Sequence, residues 1–103
     1  MIGYVYLLCD AHRDLYKIGV TKNSVEKRVK QLQTGCGTPI HIVDTFKSED
    51  YYRIETLLHR RFGHKKEQGE WFSLDSSDVS MFNEYCKQMQ SLIDCMKENP
   101  FYK

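Results

Sequence analysis

The sequence predicts an α+β domain in which a small antiparallel three-stranded sheet is flanked by helices. Three observations predict this class: two strand-like segments around a short polar turn, two amphipathic helical segments after them, and a third amphipathic helix near the end. The chain has 103 residues, which is typical of a single domain. We therefore expect one domain over residues 1–103, with its core at about residues 2–74 and a C-terminal helix at about residues 76–98.

The first two strands are predicted to form a hairpin. Residues 2–9 are rich in β-branched and aromatic side chains, which favour a strand. Residues 10–14 are polar and predict a turn, and residues 15–21 predict the returning strand. Tyr6 and Lys17 share a face of this hairpin only if the loop has an even number of residues or a bulge shifts the register.

A helix and a third strand are predicted after the hairpin. Asn23 or Ser24 is a suitable helix N-cap, and apolar residues then recur at helical spacing as far as Leu32. Two glycines and a proline within residues 35–39 end this helix. Apolar residues within residues 40–46 then predict the third strand of the sheet.

Two further helices are predicted in the second half of the chain. The acidic segment at residues 48–50 opens the first of them, since the helix dipole favours negative charge there, and this helix runs to about Phe62. Residues 69–74 predict a short extended segment. The last helix has a clear apolar face and is predicted to end at Asn99-Pro100.

Composition argues against a disordered or membrane-bound chain. Hydrophobic residues make up 41% and charged residues 28% of the chain, which is typical of a soluble globular protein. The apolar run at residues 4–9 is too short for a membrane span or a signal peptide. We therefore expect no membrane partner and a cytoplasmic location, or a nuclear one if the source or its host is a eukaryote.

The net charge of +1 hides an asymmetry along the chain. Residues 1–66 contain 12 Lys and Arg against 7 Asp and Glu, whereas residues 67–103 contain 3 against 7. Arg60 and Arg61 belong to a basic cluster in the first part. Such a cluster either contacts the phosphates of a nucleic acid or forms an ordinary solvated surface.

Glu55 is the best physical sign of a functional site. It falls within the apolar face of the second helix, and a buried carboxylate is costly unless it is paired or holds a metal. His59 follows one turn later on the same side of this helix. The alternative is a structural ion pair between Glu55 and Arg28 or a lysine.

Three other residues each have two interpretations, and a fourth, Trp71, has one. Arg28 lies at the edge of an apolar stripe, where it either leans over the sheet to bind a phosphate or packs its stem. Gly19 either admits another group close to its strand or marks a bulge. Trp71 is expected to dock its segment onto the core, and Glu70 is either exposed or paired with a basic residue.

Taken together, these motifs resemble the GIY-YIG superfamily. They follow one another at the expected spacing, and they resemble a branch found in phage and viral reading frames and in a meiotically up-regulated fungal gene. This branch reads KIG instead of YIG, and it carries an E-x-x-x-H-x-x-F helix followed by a G-E-W-F segment. In order, the matching motifs are Tyr4-Val5-Tyr6, Lys17-Ile18-Gly19, Arg28, residues 55–62 and Gly69-Glu70-Trp71-Phe72.

The resemblance implies a DNA endonuclease that hydrolyses phosphodiester bonds with one divalent metal ion. In that scheme Glu55 holds Mg²⁺ or Mn²⁺, and Arg28 stabilises the developing negative charge. Tyr6 orients or deprotonates the attacking water. Lys17, which replaces the second signature tyrosine, assists Tyr6 or holds the phosphate, and His59 contacts the phosphate or supports Glu55.

The same resemblance implies further contacts and partners. We expect the substrate to be DNA and to be contacted by Tyr4, Tyr16, Gly19, Arg60 and Arg61. A domain of this size also implies weak specificity, a homodimer or an accessory partner. The alternative function is a catalytically weak or inactive module that retains the fold and binds nucleic acid or another protein.

Overall fold

A computed structural model describes residues 1–98 of the chain and confirms the α+β class. Its sheet has five antiparallel strands: β1 (Gly3–Asp10), β2 (Leu15–Thr21), β3 (Ile40–Ser48), β4 (Lys66–Gln68) and β5 (Trp71–Phe72). The helices in this range are α1 (Val25–Thr34), α2 (Tyr51–Arg61), α3 (Ser76–Ser80) and α4 (Phe82–Glu98), with a 3₁₀ turn at Gly63–Lys65. The strands lie in the order β3-β1-β2-β5-β4, with every neighbouring pair antiparallel.

The prediction of a three-stranded sheet is wrong because two short strands extend it beyond β2. Strand β5 pairs with β2 at only two positions, Phe72 opposite Tyr16 and Trp71 opposite Lys17. Strand β4 is the edge strand, and its three residues are all exposed. It therefore lacks the apolar alternation that identifies a strand in a sequence.

The β1–β2 hairpin satisfies the condition that brings Tyr6 and Lys17 to one face. The loop between the strands has four residues, 11–14, and the register places Tyr6 opposite Gly19 and Leu8 opposite Lys17. Directly paired residues project to the same face, and so do alternate residues of one strand. Tyr6, Leu8 and Lys17 therefore share a face, which we call the α1 face because α1 packs against it.

A buried carboxylate closes this hairpin. Asp10 is inaccessible to solvent and accepts hydrogen bonds from the backbone N–H groups of His12 and Arg13. It also accepts from Nε of Arg13 at 2.6 Å and from Oγ1 of Thr38 at 2.5 Å. Asp10 thus ties the hairpin loop to the segment between α1 and β3.

The other face of the sheet, which we call the α2 face, carries the main core. Strand residues such as Val5 and Ile18 pack there against Ile54 of α2 and Phe82 of α4. At the outer edge of the sheet, the pairing of β3 with β1 shifts by one residue between Leu7 and Leu8 of β1. The shift is a bulge in β3.

The predicted start of the C-terminal helix is confirmed, but the expectation of one continuous helix is wrong. Asp75 caps α3 in a capping box with Asp78, and the chain turns at Met81 before α4 begins. Asp78 also pairs with Lys65, whereas α4 is anchored in the core by Phe82, so the two helices have different anchors. The predicted helix end at Asn99-Pro100 lies outside the described residues.

Two further findings concern the cysteines and the length of the helices. All four cysteines are unpaired thiols. In the described part of the chain, none of the helices combines the length and the apolar character that crossing a bilayer requires.

Candidate active site

The candidate site lies along the side of β2 that faces away from β1, beyond the two residues of β2 that pair with β5. Beyond Lys17, the rest of β2 has no strand partner on this side among residues 1–98. Helix α2 contacts β2 from the α2 face, and His59 of α2 reaches this edge. Nε2 of His59 lies 2.9 Å from the carbonyl oxygen of Ile18. Side chains from both faces of the sheet can therefore meet at this edge.

The contact with Ile18 orients the imidazole of His59. A carbonyl oxygen only accepts hydrogen bonds, so Nε2 must donate, and in the neutral ring the lone pair is on Nδ1. The ring also packs edge-on against Phe72, with the centroids 5.0 Å apart and an interplanar angle of 87°. His59 is thus fixed in one orientation with Nδ1 available as an acceptor.

Glu55 lies one turn before His59 and has no structural partner. No hydrogen bond or ion pair to its carboxylate is formed by any residue in the described range 1–98, so an ion pair with Arg28 or a lysine is absent there. Its side chain is half-buried, yet its unpartnered oxygens reach solvent. Burial raises the pKa of Glu55, Glu70 raises it further, and the charges of His59 and Lys17 oppose this shift.

Lys17 is paired with Glu70, so the second of the two interpretations of Glu70, a pair with a basic residue, is confirmed. Lys17 is only 8% exposed, and its Nζ donates to Oε2 of Glu70 at 2.6 Å. Burial opposes ionisation of Glu70, but the hydrogen bond and charge of Lys17 outweigh it, so the pKa of Glu70 is lowered. The negative charge of Glu70 therefore lies against the ammonium group of Lys17 and largely balances it.

Tyr6 reaches toward the same edge across Gly19. Tyr6 is buried, and a Cβ atom added to Gly19 would lie 2.5 Å from Cζ of Tyr6. Only glycine leaves room for this ring, because real Cβ atoms essentially never approach so closely. The interpretation of Gly19 as a site of close approach is therefore supported, since the register shifts of this sheet lie in the β1–β3 and β4–β5 pairings and not in β2.

Arg28 of α1 brings a positive charge to the Tyr6 hydroxyl. The pKa of Arg28 is raised, mainly because its guanidinium interacts with the hydroxyl group of Tyr6. The negative charge of Glu70 raises it further. Nη1 of Arg28 donates to Oε1 of Gln31 at 3.2 Å. Within the described range, Arg28 forms no ion pair, so its guanidinium remains available to an anion.

The remaining predicted contact residues are dispersed. Tyr4 lies half-buried on the α1 face, two residues from Tyr6. Tyr16 lies on the α2 face, where it packs against the main core. Arg60 is exposed, and the guanidinium of Arg61 lies 4.0 Å from the ring centroid of Tyr85 on α4. Tyr16 and Arg61 are therefore directed away from the residues described above. We call these residues the cluster around Gly19; besides Gly19 they are Tyr6, Lys17, Arg28, Glu55, His59 and Glu70.

The acidic residues at this edge fit a hydrated metal ion rather than an enclosed one. No set of three or more His, Cys, Asp or Glu side chains in residues 1–98 is arranged to hold a metal. Mg²⁺, however, keeps several waters and is often bound through one or two carboxylates. The unpaired, solvent-accessible Glu55 suits such binding, whereas a closed zinc site would need four protein ligands.

Comparison with known proteins gives one family. The family model described as "T5orf172 domain" matches residues 3–93, which include the whole sheet and every residue of the cluster around Gly19. None of the curated proteins and none of the solved structures matches the chain.

Proposed function

The chain belongs to the T5orf172 domain family, and we propose that it is a metal-dependent DNA endonuclease of the GIY-YIG type. The family occurs in phage and fungal proteins and is associated with nuclease-like folds. The observation that carries the proposal is Glu55, a half-buried carboxylate without an ion pair in the described range, next to His59 at the β2 edge.

Glu55 is suited to bind a metal ion because its surroundings disfavour its negative charge. Burial raises its pKa, so its ionised form lacks the stabilisation that a paired carboxylate has. A divalent cation at Glu55 would supply charge neutralisation at the phosphate and at the leaving oxygen. His59, fixed by Ile18, offers Nδ1 as a proton acceptor on the same side of α2.

Arg28 and Tyr6 are suited to the phosphate and the attacking water. The guanidinium of Arg28 matches two phosphate oxygens at once and would stabilise the negative charge that develops during hydrolysis. The Tyr6 hydroxyl next to it would orient the water. Gly19 supports this role indirectly, since it admits the Tyr6 ring.

Lys17 favours a second candidate function. It occupies the position of the second signature tyrosine, and its ammonium group is already bound to Glu70. An ammonium group that is engaged by a carboxylate is less available to a phosphate or to Tyr6, and this observation favours a module that binds nucleic acid or protein without cleaving DNA. In the endonuclease, Lys17 would act as a fixed charge that keeps Glu70 ionised.

Cleavage of supercoiled plasmid in Mg²⁺, Mn²⁺ or EDTA tests the proposal. We expect cleavage that requires metal and is lost in Glu55→Gln and in Arg28→Gln, by at least about 100-fold. Glu84→Gln and Lys30→Gln are matched controls, because they alter exposed residues on α4 and α1 and should retain activity.

Three other results would contradict the endonuclease. Cleavage that survives both Glu55→Gln and Arg28→Gln would come from a contaminant. DNA binding that weakens with salt, without cleavage in either metal, would support the nucleic-acid-binding module. Neither binding nor cleavage would support a protein-interaction role.

A further inference from the structure

A cleft on the α1 face adjoins the candidate site and has no role in the proposed reaction. Its volume is about 730 Å³, which is within the range of ligand-binding pockets. Lys17 and Glu70, the ion pair of the candidate site, form part of its wall, together with Trp71, the register partner of Lys17. A ligand in this cleft would therefore lie next to the cluster around Gly19.

Gln31 connects this cleft with Arg28. It lines the cleft, and its Oε1 atom accepts the hydrogen bond from Nη1 of Arg28. The two residues are three positions apart on α1, so they are neighbours on the helix surface. A phosphate bound by Arg28 would consequently lie beside the entrance of the cleft.

The charged groups in the cleft wall are balanced. Arg13 pairs with Asp10 at 2.6 Å, and Lys17 pairs with Glu70 at 2.6 Å. A phosphate prefers a site with surplus positive charge, and Arg28 offers such a charge outside the cleft. The cleft is therefore better suited to an uncharged group that is attached to the phosphate.

Trp71 gives the cleft an aromatic wall. It is half-buried against the core of the α1 face, and the guanidinium carbon of Arg13 and Nζ of Lys17 lie 4.8 Å and 5.8 Å from the centroid of its ring, so Arg13 forms part of the same wall. Indole rings and guanidinium planes are the groups on which unstacked bases pack in proteins that bind single strands. Gly37, which also lines the cleft, leaves space, since a Cβ atom added there would meet no atom within 4 Å.

We propose that this cleft is a nucleobase subsite, in which a base beside the phosphate on Arg28 leaves its stack and packs against Trp71. The inference rests on the proposed function and narrows the substrate to DNA with an unpaired nucleotide next to the cleaved bond. Extruding a base costs least where it is already unpaired. Single strands and flaps are therefore the preferred substrates over intact duplex.

Trp71 is the single tryptophan of the chain, so its fluorescence reports directly on this cleft. The protein is titrated in EDTA with an eight-nucleotide thymidine strand, with an abasic strand of the same length, and with a blunt duplex. We expect saturable quenching by the thymidine strand and an affinity at least about fivefold higher than for the abasic strand. Equal affinity for the two strands would overturn the proposal.

A variant that fills the cleft tests the assignment without removing Trp71. Gly37→Leu places an apolar side chain in open space on the cleft wall, and Gly63→Leu is the matched control outside it. Both glycines are exposed, and neither has a positive φ angle. We expect Gly37→Leu to abolish the preference for the thymidine strand and Gly63→Leu to retain it; an unchanged preference in Gly37→Leu would contradict the subsite.

The cleavage assay, run on single-stranded DNA as well as on the plasmid, separates the failure of this inference from that of the proposed function. Metal-dependent cleavage, together with equal binding of the thymidine and abasic strands, would overturn the nucleobase subsite but not the endonuclease. A base preference without cleavage in Mg²⁺ or Mn²⁺ would overturn the endonuclease and support the cleft as the site of a binding module. Loss of both would overturn both.

Discussion

Two carboxylates, Asp10 and Glu55, lie in opposite environments on the two faces of the sheet. Asp10 is inaccessible to solvent, and the hydrogen bond from Thr38 is the main cause that holds its pKa far below the ordinary value. Glu55 is only half-buried, has no ion pair within residues 1–98, and has a raised pKa. A fully buried carboxylate thus has a structural role when its hydrogen-bond partners are complete, whereas a missing partner is the better sign of function.

Asp10→Ala is the change that should cost the most stability. It removes the acceptor of four hydrogen bonds from the hairpin loop and Thr38, and it leaves the Arg13 guanidinium without its partner. We expect the melting temperature at pH 7 to fall by about 10 °C. Differential scanning calorimetry measures this, with Glu84→Ala on the exposed side of α4 as the control. A fall no larger than that of the control would mean that the Asp10 network is not structural.

Glu55→Gln should raise the melting temperature, by less than Asp10→Ala lowers it. The folded-state pKa of Glu55 is raised, so its contribution to stability is fully present below its unfolded-state pKa and is lost as the pH rises through the folded-state value. At pH 7 the carboxylate is therefore unfavourable, and Gln should raise the melting temperature by about 3 °C. The gain should disappear near pH 4, where Glu55 is protonated in wild type.

The melting temperatures of wild type and Glu55→Gln are compared at several pH values between 4 and 7. Glu84→Gln is the matched control, because it makes the same chemical change at an exposed residue of α4. A lower melting temperature of Glu55→Gln at pH 7 would indicate that Glu55 has a stabilising structural role, as Asp10 has.

The smallest expected effect is stabilisation by Mg²⁺. If Glu55 holds the ion, millimolar Mg²⁺ should raise the melting temperature of wild type by about 2 °C through binding to the folded state. The rise should be absent in Glu55→Gln and preserved in Lys30→Gln. Equal stabilisation of all three proteins would mean that the ion binds elsewhere. Glu55 would then have no metal-binding role that distinguishes it from Asp10.

Most of the elements that surround the site follow from local patterns. The limits of β2, the N-cap at Ser24 and the start of the last helix near Ser76 match the predictions, since each depends on neighbouring residues. The inward position of Glu55 also follows from the apolar face of its own helix. These features depend on helical and strand periodicity, which is present in the sequence.

Other features depend on contacts between distant parts of the chain. Lys17 and Glu70 are 53 positions apart. The motif that contains Glu70 is therefore visible in the sequence, but the identity of its partner, Lys17, is not. Tyr16 is adjacent to Lys17, yet strand alternation places it on the α2 face, away from Tyr6. The exposed residues of β4 have no apolar pattern, and its pairing with β5 depends on tertiary structure alone.

The two edges of the sheet also bear on how the protein behaves at high concentration. An open strand edge can pair with another chain and begin aggregation. Strand β4 counters this with charged side chains at Lys66 and Glu67, and β3 counters it with its bulge, which interrupts a regular ladder. The short strands and the irregular pairing thus help to keep the folded chains separate, although β3 exposes Ile42 and Val43.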